Sequence, residues 1–181
     1  EKNTILLKKK FFNKSNGVIG IIGAGNFTSS TILPNFKKIN ADIKYIASSA
    51  GLSSTIMAKK YNISYSTTDY NEILKDDDVD LVLVTTKHNL HAKMVLEAIS
   101  SAKNVFVEKP LALNHDELNN IIDAYNSNDV NVSVGFNRRF APLAKKMKSV
   151  LGNNTTPMNI IATMNAGFID KDVWVHDMQI G

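Results

Sequence analysis

Short apolar runs alternate with helical patterns along most of this chain. Val18-Ile19-Gly20-Ile21-Ile22 is β-branched and leads into glycines, which predicts a buried strand. Beyond Asn26, apolar residues at 32, 33, 36 and 39 keep helical spacing to about Asn40, and Pro34 inside that stretch predicts a break or kink. Residues 43–47 read as a second strand, 53–61 and 69–74 as helices, and Asp76-Asp77-Asp78 as a turn. Leu81-Val82-Leu83-Val84 is apolar on both faces, as a central parallel strand is. Leu90, Met94, Val95, Ala98 and Ile99 mark one face of a helix, and residues 105–107 the next strand. Asn114, with Glu117 three residues on, predicts a capped helix carrying Leu118, Ile121, Ile122 and Tyr125. Residues 130–134 are a further strand.

Strand–helix alternation with short loops gives a parallel sheet covered on both faces, and the handedness of the crossovers makes a doubly wound α/β sheet its natural form. The rhythm changes after Gly135: a helix is expected over 140–151, with Pro142 in its first turn, and a long strand over 158–165. The expected organisation is a leading arm at 1–16, a doubly wound domain at 17–137 and the opening elements of a second, α+β domain at 138–181. The start at Glu1 and the stop at Gly181 suggest a piece of a longer protein. Composition narrows the chemistry. The 181 residues are 44% hydrophobic and carry a formal net charge of +4, too small and dispersed to announce a nucleic-acid protein. Lys8–Lys10 in the arm reads as a solvated segment. With no cysteine, the chain has no disulfide, thiolate metal site or cysteine nucleophile. No apolar run approaches a bilayer span and no signal peptide is evident, so no membrane and a cytoplasmic setting are expected.

The candidate chemistry gathers at strand ends. The first strand runs into Gly23-Ala24-Gly25-Asn26-Phe27-Thr28, where one glycine permits a tight turn and the next lets a pyrophosphate approach the backbone at a helix N-terminus. Thr28 stands where a third small residue is usual, so looser helix–strand packing is expected. The second strand ends in Ala47-Ser48-Ser49-Ala50-Gly51, without the carboxylate that selects NAD or an arginine that grips a 2′-phosphate. Ser48 and Ser49 would bond a ribose hydroxyl or a phosphate, Lys59 or Lys60 would have to fold over, and the balance leans slightly to NADP. The alternative is a plain turn. Thr85, Thr86, Lys87 and His88, after residues 81–84, would face the ligand crevice. His91 reads either as a cofactor contact or as a structural helix-start histidine, and His88 with His91 lacks a third metal ligand. Glu108-Lys109-Pro110 ends the next strand: Glu108 would hold a ribose hydroxyl, and a partly buried Lys109 would exchange a substrate proton. Asn137, Arg138 and Arg139 lie between Phe136 and Phe140, suited to an anionic or hydroxylated ligand or to a domain junction.

Taken in order, Gly-Ala-Gly-Asn at 23–26, Thr-Thr-Lys-His-Asn-Leu-His-Ala at 85–92, Val-Phe-Val-Glu-Lys-Pro-Leu-Ala-Leu at 105–113 and Val-Gly-Phe-Asn-Arg-Arg-Phe-Ala-Pro at 134–142 resemble the glucose–fructose oxidoreductase / inositol dehydrogenase family. The resemblance covers about residues 17–181. Asp-Tyr-Asn-Glu-Ile-Leu at 69–74, with Asn-Ala-Gly at 165–167 and Trp-Val-His-Asp at 174–177, resembles a branch in which this module follows an alcohol-dehydrogenase-like half, often in surface polysaccharide synthesis. The resemblance implies a Rossmann fold and a nicotinamide cofactor, NAD or NADP. Gly23, Gly25, Asn26 and Phe27 would bind it, with Ser48 and Ser49 on the adenosine side. Thr85, Thr86, Lys87, His88 and His91 would lie along the ribose–nicotinamide path, beside Glu108 and Asn137. Lys109 is the implied proton-handling residue, preceding a Lys109–Pro110 bond that is often cis. Arg138, Asn165, Trp174 and His176 would reach a sugar-type substrate. The family's catalytic histidine helix is expected beyond Gly181, which implies cofactor binding with little catalysis, and homo-oligomers are implied for the full-length protein. The leading expectation is a hydride-transferring oxidoreductase acting on a sugar or sugar nucleotide. A non-catalytic dinucleotide-binding sensor is the alternative, and DNA binding through the lysine arm ranks behind both.

Overall fold

The computed structural model describes residues 3–13, 17–153, 156–165, 167–177 and 180. Residues 1, 2 and 14–16 of the expected arm, and Ala166 of the Asn-Ala-Gly motif, lie outside them. The chain forms two units, Glu1–Gly135 and Phe136–Gly181, so the boundary falls two residues before the expected one.

The first unit is built on seven strands: β1 (Thr4–Leu6), β2 (Ile19–Ile22), β3 (Ile43–Ala47), β4 (Tyr65–Thr67), β5 (Leu81–Val84), β6 (Asn104–Val107) and β7 (Val132–Val134). Their order is β1-β4-β3-β2-β5-β6-β7. All pairs are parallel except β1 with β4. Helices α1 (Leu33–Lys38), α2 (Leu52–Tyr61), α3 (Asn71–Lys75), α4 (His91–Ser100) and α5 (His115–Asn126) cover it. Side chains alternate along each strand, so β2 sends Ile22 to one face and Ile19 and Ile21 to the other. Ile22 joins Val82, Val84, Val105 and Val107 under α3, α4 and α5. Ile19 and Ile21 join Ile43, Ile46 and Leu83 under Leu33 of α1 and Ala58 of α2. The α/β doubly wound sheet is therefore the observed architecture.

Polarity hides β4. β4 reads Tyr-Ser-Thr, yet Ser66 and Thr67 are buried, because hydroxyls satisfy one another: Ser66 Oγ donates to Ser54 Oγ (3.0 Å), and Thr67 Oγ1 pairs with Thr4 Oγ1 (2.8 Å). The second pair draws part of the leading arm into the sheet as β1. Pro34 begins α1 rather than breaking it. The helix before it widens over Thr28–Ile32, with Leu33 N–H reaching Thr28 O, and so accommodates a residue without an N–H. Asn114 caps α5, its Oδ1 accepting from Glu117 N–H (2.9 Å), while Glu117 Oε2 accepts from Leu113 N–H (2.8 Å).

The second unit holds α6 (Pro142–Leu151), as expected, but residues 158–165 are irregular and exposed rather than a strand. A strand needs a ladder partner, and the described residues of this unit supply none. No helix among the described residues is long and apolar enough to cross a membrane.

The Asp76-Asp77-Asp78 turn anchors the amino-terminal edge of the sheet. Lys44 Nζ on β3 donates to Asp76 Oδ1 (2.9 Å) and Asp78 Oδ2 (2.7 Å), Tyr45 OH donates to Asp76 Oδ2 (2.8 Å), and buried Lys103 donates to the Asp76 and Val79 carbonyls. Burial alone would raise the Asp76 carboxyl, but the bonds from Lys44 and Tyr45 outweigh it and hold it below its ordinary value. A carboxyl lowered in the folded state contributes stability above its unfolded value and loses it as pH falls. The urea midpoint therefore drops as pH falls through 3.8, the ordinary aspartate value. Asp76→Asn costs about 1–3 kcal/mol near pH 7 and flattens that drop, and equal pH slopes in the two proteins would contradict the assignment.

Candidate functional site

Because the strands are parallel, the ends of β2, β3, β5, β6 and β7 share one edge of the first unit. Bonds running from strand end to strand end zip this edge: Gly23 N–H to Ala47 O (3.0 Å), Thr85 N–H to Ile22 O (2.9 Å), Glu108 N–H to Val84 O (3.0 Å) and Gly135 N–H to Val107 O (2.8 Å). At the corner after β2, Gly23 has φ +118°, and a Cβ there would lie 2.7 Å from the Thr85 carbonyl group and hydroxyl. Only glycine fits. Gly25 faces open space, with nothing within 4 Å of a Cβ, and both Gly25 and Asn26 are exposed at the start of the helix. The first N–H groups of a helix have no intrahelical acceptor and carry its positive end, so this corner is suited to a diphosphate.

Thr28 does not loosen the packing as expected. It is fully buried, its hydroxyl donates to Gly23 O (2.9 Å), and it meets Thr85 Oγ1 at 2.8 Å. Thr85 Oγ1 in turn donates to Gly23 O (3.0 Å). Thr85 thus supports the glycine corner from beneath, and its hydroxyl is committed to that role instead of facing the crevice. The sequence signal for this lock was the hydroxyl at 28, five residues from the carbonyl it serves.

Past β5, Thr86 is half-buried, Lys87 exposed and His88 half-buried. Burial first, then the charges of Lys109 and His91, holds the His88 imidazole below its ordinary value. His91 heads α4 fully buried. Its Nδ1 lies 2.7 Å from Pro110 O and its Nε2 3.1 Å from Thr86 O, so the ring is turned to a backbone carbonyl on each side. After β6, burial raises the Glu108 carboxyl above its ordinary value, against the Lys109 N–H and the charges of Lys109 and His91. Gly135 closes over it, with a Cβ position 2.7 Å from Oε1, and that buried oxygen has no hydrogen-bond partner among the described residues. Lys109 precedes a cis bond to Pro110, and its side chain is exposed, so the partial burial expected for it is absent among the described residues.

At the end of β3, Ser48 is occupied in its own turn: Oγ donates to Ser54 Oγ (2.9 Å) and accepts from Gly51 N–H (3.2 Å). Ser49 is exposed and free to meet a ligand at this edge. Lys59 and Lys60 sit in the last turn of α2, at the opposite edge of the sheet from the Ser48–Gly51 turn, and do not fold over it. Lys60 instead lines a cavity of about 300 Å³ with Lys8, Lys37, Phe36 and Tyr61. In the second unit, Asn137 and Arg138 lie in a helical turn with Arg139, and Arg138 Nη1 donates to Met164 Sδ (2.9 Å). Asn165 Oδ1 accepts from Gly167 N–H (2.9 Å), and Trp174 and His176 share a further turn. The structure places these five residues within their own unit. The described residues contain no group of three or more His, Asp or Glu able to hold a metal ion.

The glycine corner, the zipped strand ends and the Glu108–Lys109–Pro110 loop gather at one edge of a doubly wound sheet, the arrangement of a Rossmann domain. The family model described as "Oxidoreductase family, NAD-binding Rossmann fold" (GFO_IDH_MocA) matches residues 18–136, and the chain belongs to that family. It is 31% identical over 178 residues to an uncharacterized oxidoreductase, YrbE, of Bacillus subtilis, covering 90% of this chain and 52% of the relative. It is 34% identical over 138 residues to the myo-inositol 2-dehydrogenase of Thermotoga maritima, covering 76% of this chain and 41% of the relative. Among solved structures, levoglucosan dehydrogenase in complex with NADH and levoglucosan superposes with a TM-score of 0.66 at 26% identity, covering 75% of this chain and 39% of that one. The chain spans about half the length of the curated relatives it matches.

The two glycines separate folding from binding. Gly23→Ala costs about 1–3 kcal/mol through a strained backbone and the Thr85 contact, whereas Gly25→Ala leaves the melting temperature unchanged. Thermal melts that rank them the other way would contradict this geometry.

Proposed function

We propose that this chain is the cofactor-binding part of an NAD(P)-dependent oxidoreductase that moves a hydride at a hydroxyl carbon of a sugar or sugar nucleotide. The observation that carries the reading is the Gly23–Gly25 corner, shaped by contact with β5 and left bare at a helix start. The buried, unpartnered Glu108 Oε1 supports it, because an orphaned acceptor at the same edge suits a ribose hydroxyl. Backbone N–H groups at Gly25, Asn26 and Phe27 would hold the diphosphate, Ser49 the adenosine side, and Thr86, Lys87, His88 and Glu108 the nicotinamide half. The bound nicotinamide supplies or accepts the hydride, and Lys109 Nζ takes or returns the hydroxyl proton. The family resemblance assigns Asn137 to the cofactor, and Arg138, Asn165, Trp174 and His176 to the substrate side. The sugar-type substrate agrees with the myo-inositol and levoglucosan dehydrogenases it resembles. That resemblance also includes a catalytic histidine helix that no segment of residues 1–181 matches, so the chain alone is expected to bind cofactor with weak turnover.

Cofactor choice follows from the end of β3. No carboxylate there repels a 2′-phosphate, and neither Lys59 nor Lys60 reaches it, so NADP is preferred only slightly. Titration calorimetry should show both coenzymes binding, with affinities within about tenfold of each other and NADP the tighter. Binding of neither would overturn the reading. Gly25→Ala, neutral for folding, should weaken both by at least about tenfold, since its methyl occupies the path of the diphosphate.

The exposure of Lys109 favours a second reading, a dinucleotide-binding module without chemistry. In the full-length protein, Lys109→Ala should abolish turnover while leaving coenzyme affinity within about threefold. Retained function in that variant would select the second reading.

A further inference from the structure

We propose that His91 is a positioning residue that fixes the Lys109 loop against the end of β5, an inference that rests on the dinucleotide reading above. Its ring joins two separate segments of the site edge. Nε2 lies on the carbonyl of Thr86, two residues beyond β5, and Nδ1 lies on the carbonyl of Pro110, the residue that follows Lys109. Carbonyl oxygens only accept, so a neutral ring, with its single N–H, donates to one of the two and lies against the other; the shorter contact, Nδ1 to Pro110 O, is the bond assigned here. The side chain is fully buried, and an apolar residue would fill the same space without serving either carbonyl. Glu108 N–H makes the last sheet bond before the loop, to Val84 O. The bond to His91 then anchors the far side of Lys109, so the lysine sits between two fixed points. The ring itself touches neither cofactor nor substrate; it acts through Pro110.

Two conservative variants separate the two contacts. The amide nitrogen of asparagine lies near the position of Nδ1, and that of glutamine reaches the position of Nε2. His91→Asn therefore keeps the tie to Pro110, and His91→Gln keeps only the tie to Thr86. The chain is titrated with ADP-ribose, which reaches the glycine corner but lacks the nicotinamide, and with NADH. ADP-ribose affinity should stay within about threefold of wild type in both variants. NADH affinity should be near wild type in His91→Asn and about tenfold weaker in His91→Gln, whose bound NADH emission should move toward that of the free coenzyme. Equal NADH affinity in the two variants, or parallel loss of both ligands with falling thermal stability, overturns the inference and leaves His91 a purely structural residue. Wild-type chain that binds neither ligand overturns the dinucleotide reading and this inference with it. If neither variant folds, the wild-type imidazole N–H is followed by NMR: its protection from exchange should rise with NADH and not with ADP-ribose, and equal protection overturns the proposal.

Discussion

The close approach of the Gly23 backbone to the end of β5 is the constraint on which the rest of the structure depends. A Cβ at residue 23 would collide with the Thr85 carbonyl, so the chain must turn there with a positive φ and no side chain. The buried Thr28 hydroxyl closes the arrangement by bonding Gly23 O and meeting the Thr85 hydroxyl. Turn, helix start and neighbouring strand end are thereby one rigid object. Gly25 is left at its rim with its backbone uncovered, where the positive end of the helix faces outward.

The other wall of the site is held by different means. Half-buried Glu108 keeps one carboxylate oxygen, Oε1, buried beneath Gly135 and without a partner among the described residues, while Lys109 is exposed beside it. An unpaired buried acceptor costs free energy unless something bonds it. His91 stands between this wall and the one after β5, its Nδ1 2.7 Å from Pro110 O and its Nε2 3.1 Å from Thr86 O.

Most of the sheet could be read from hydrophobicity. Leu81–Val84, apolar on both faces, and Ile43–Ala47 lie where their patterns put them, and the Asn114 cap follows from side-chain chemistry alone. Hydrophobic periodicity is silent where burial is polar. β4 escaped because its inward hydroxyls are satisfied by Ser54 and Thr4, partners 12 and 63 residues away that periodicity does not sense. Thr28 looked like a steric departure because its value lies in a hydroxyl bond, and Ser48 looked like a ligand contact although its hydroxyl closes its own turn. Residues 158–165 carry a strand pattern without a neighbouring strand among the described residues, and pattern alone does not make a ladder.

The decisive measurement is a crystal structure of the chain with NADH. The diphosphate is expected against the backbone N–H groups of residues 25–27, a ribose hydroxyl on Glu108 Oε1 and the nicotinamide beside Lys109. Coenzyme seated in the lysine-lined cavity at the opposite edge, with the glycine corner bare, would contradict it.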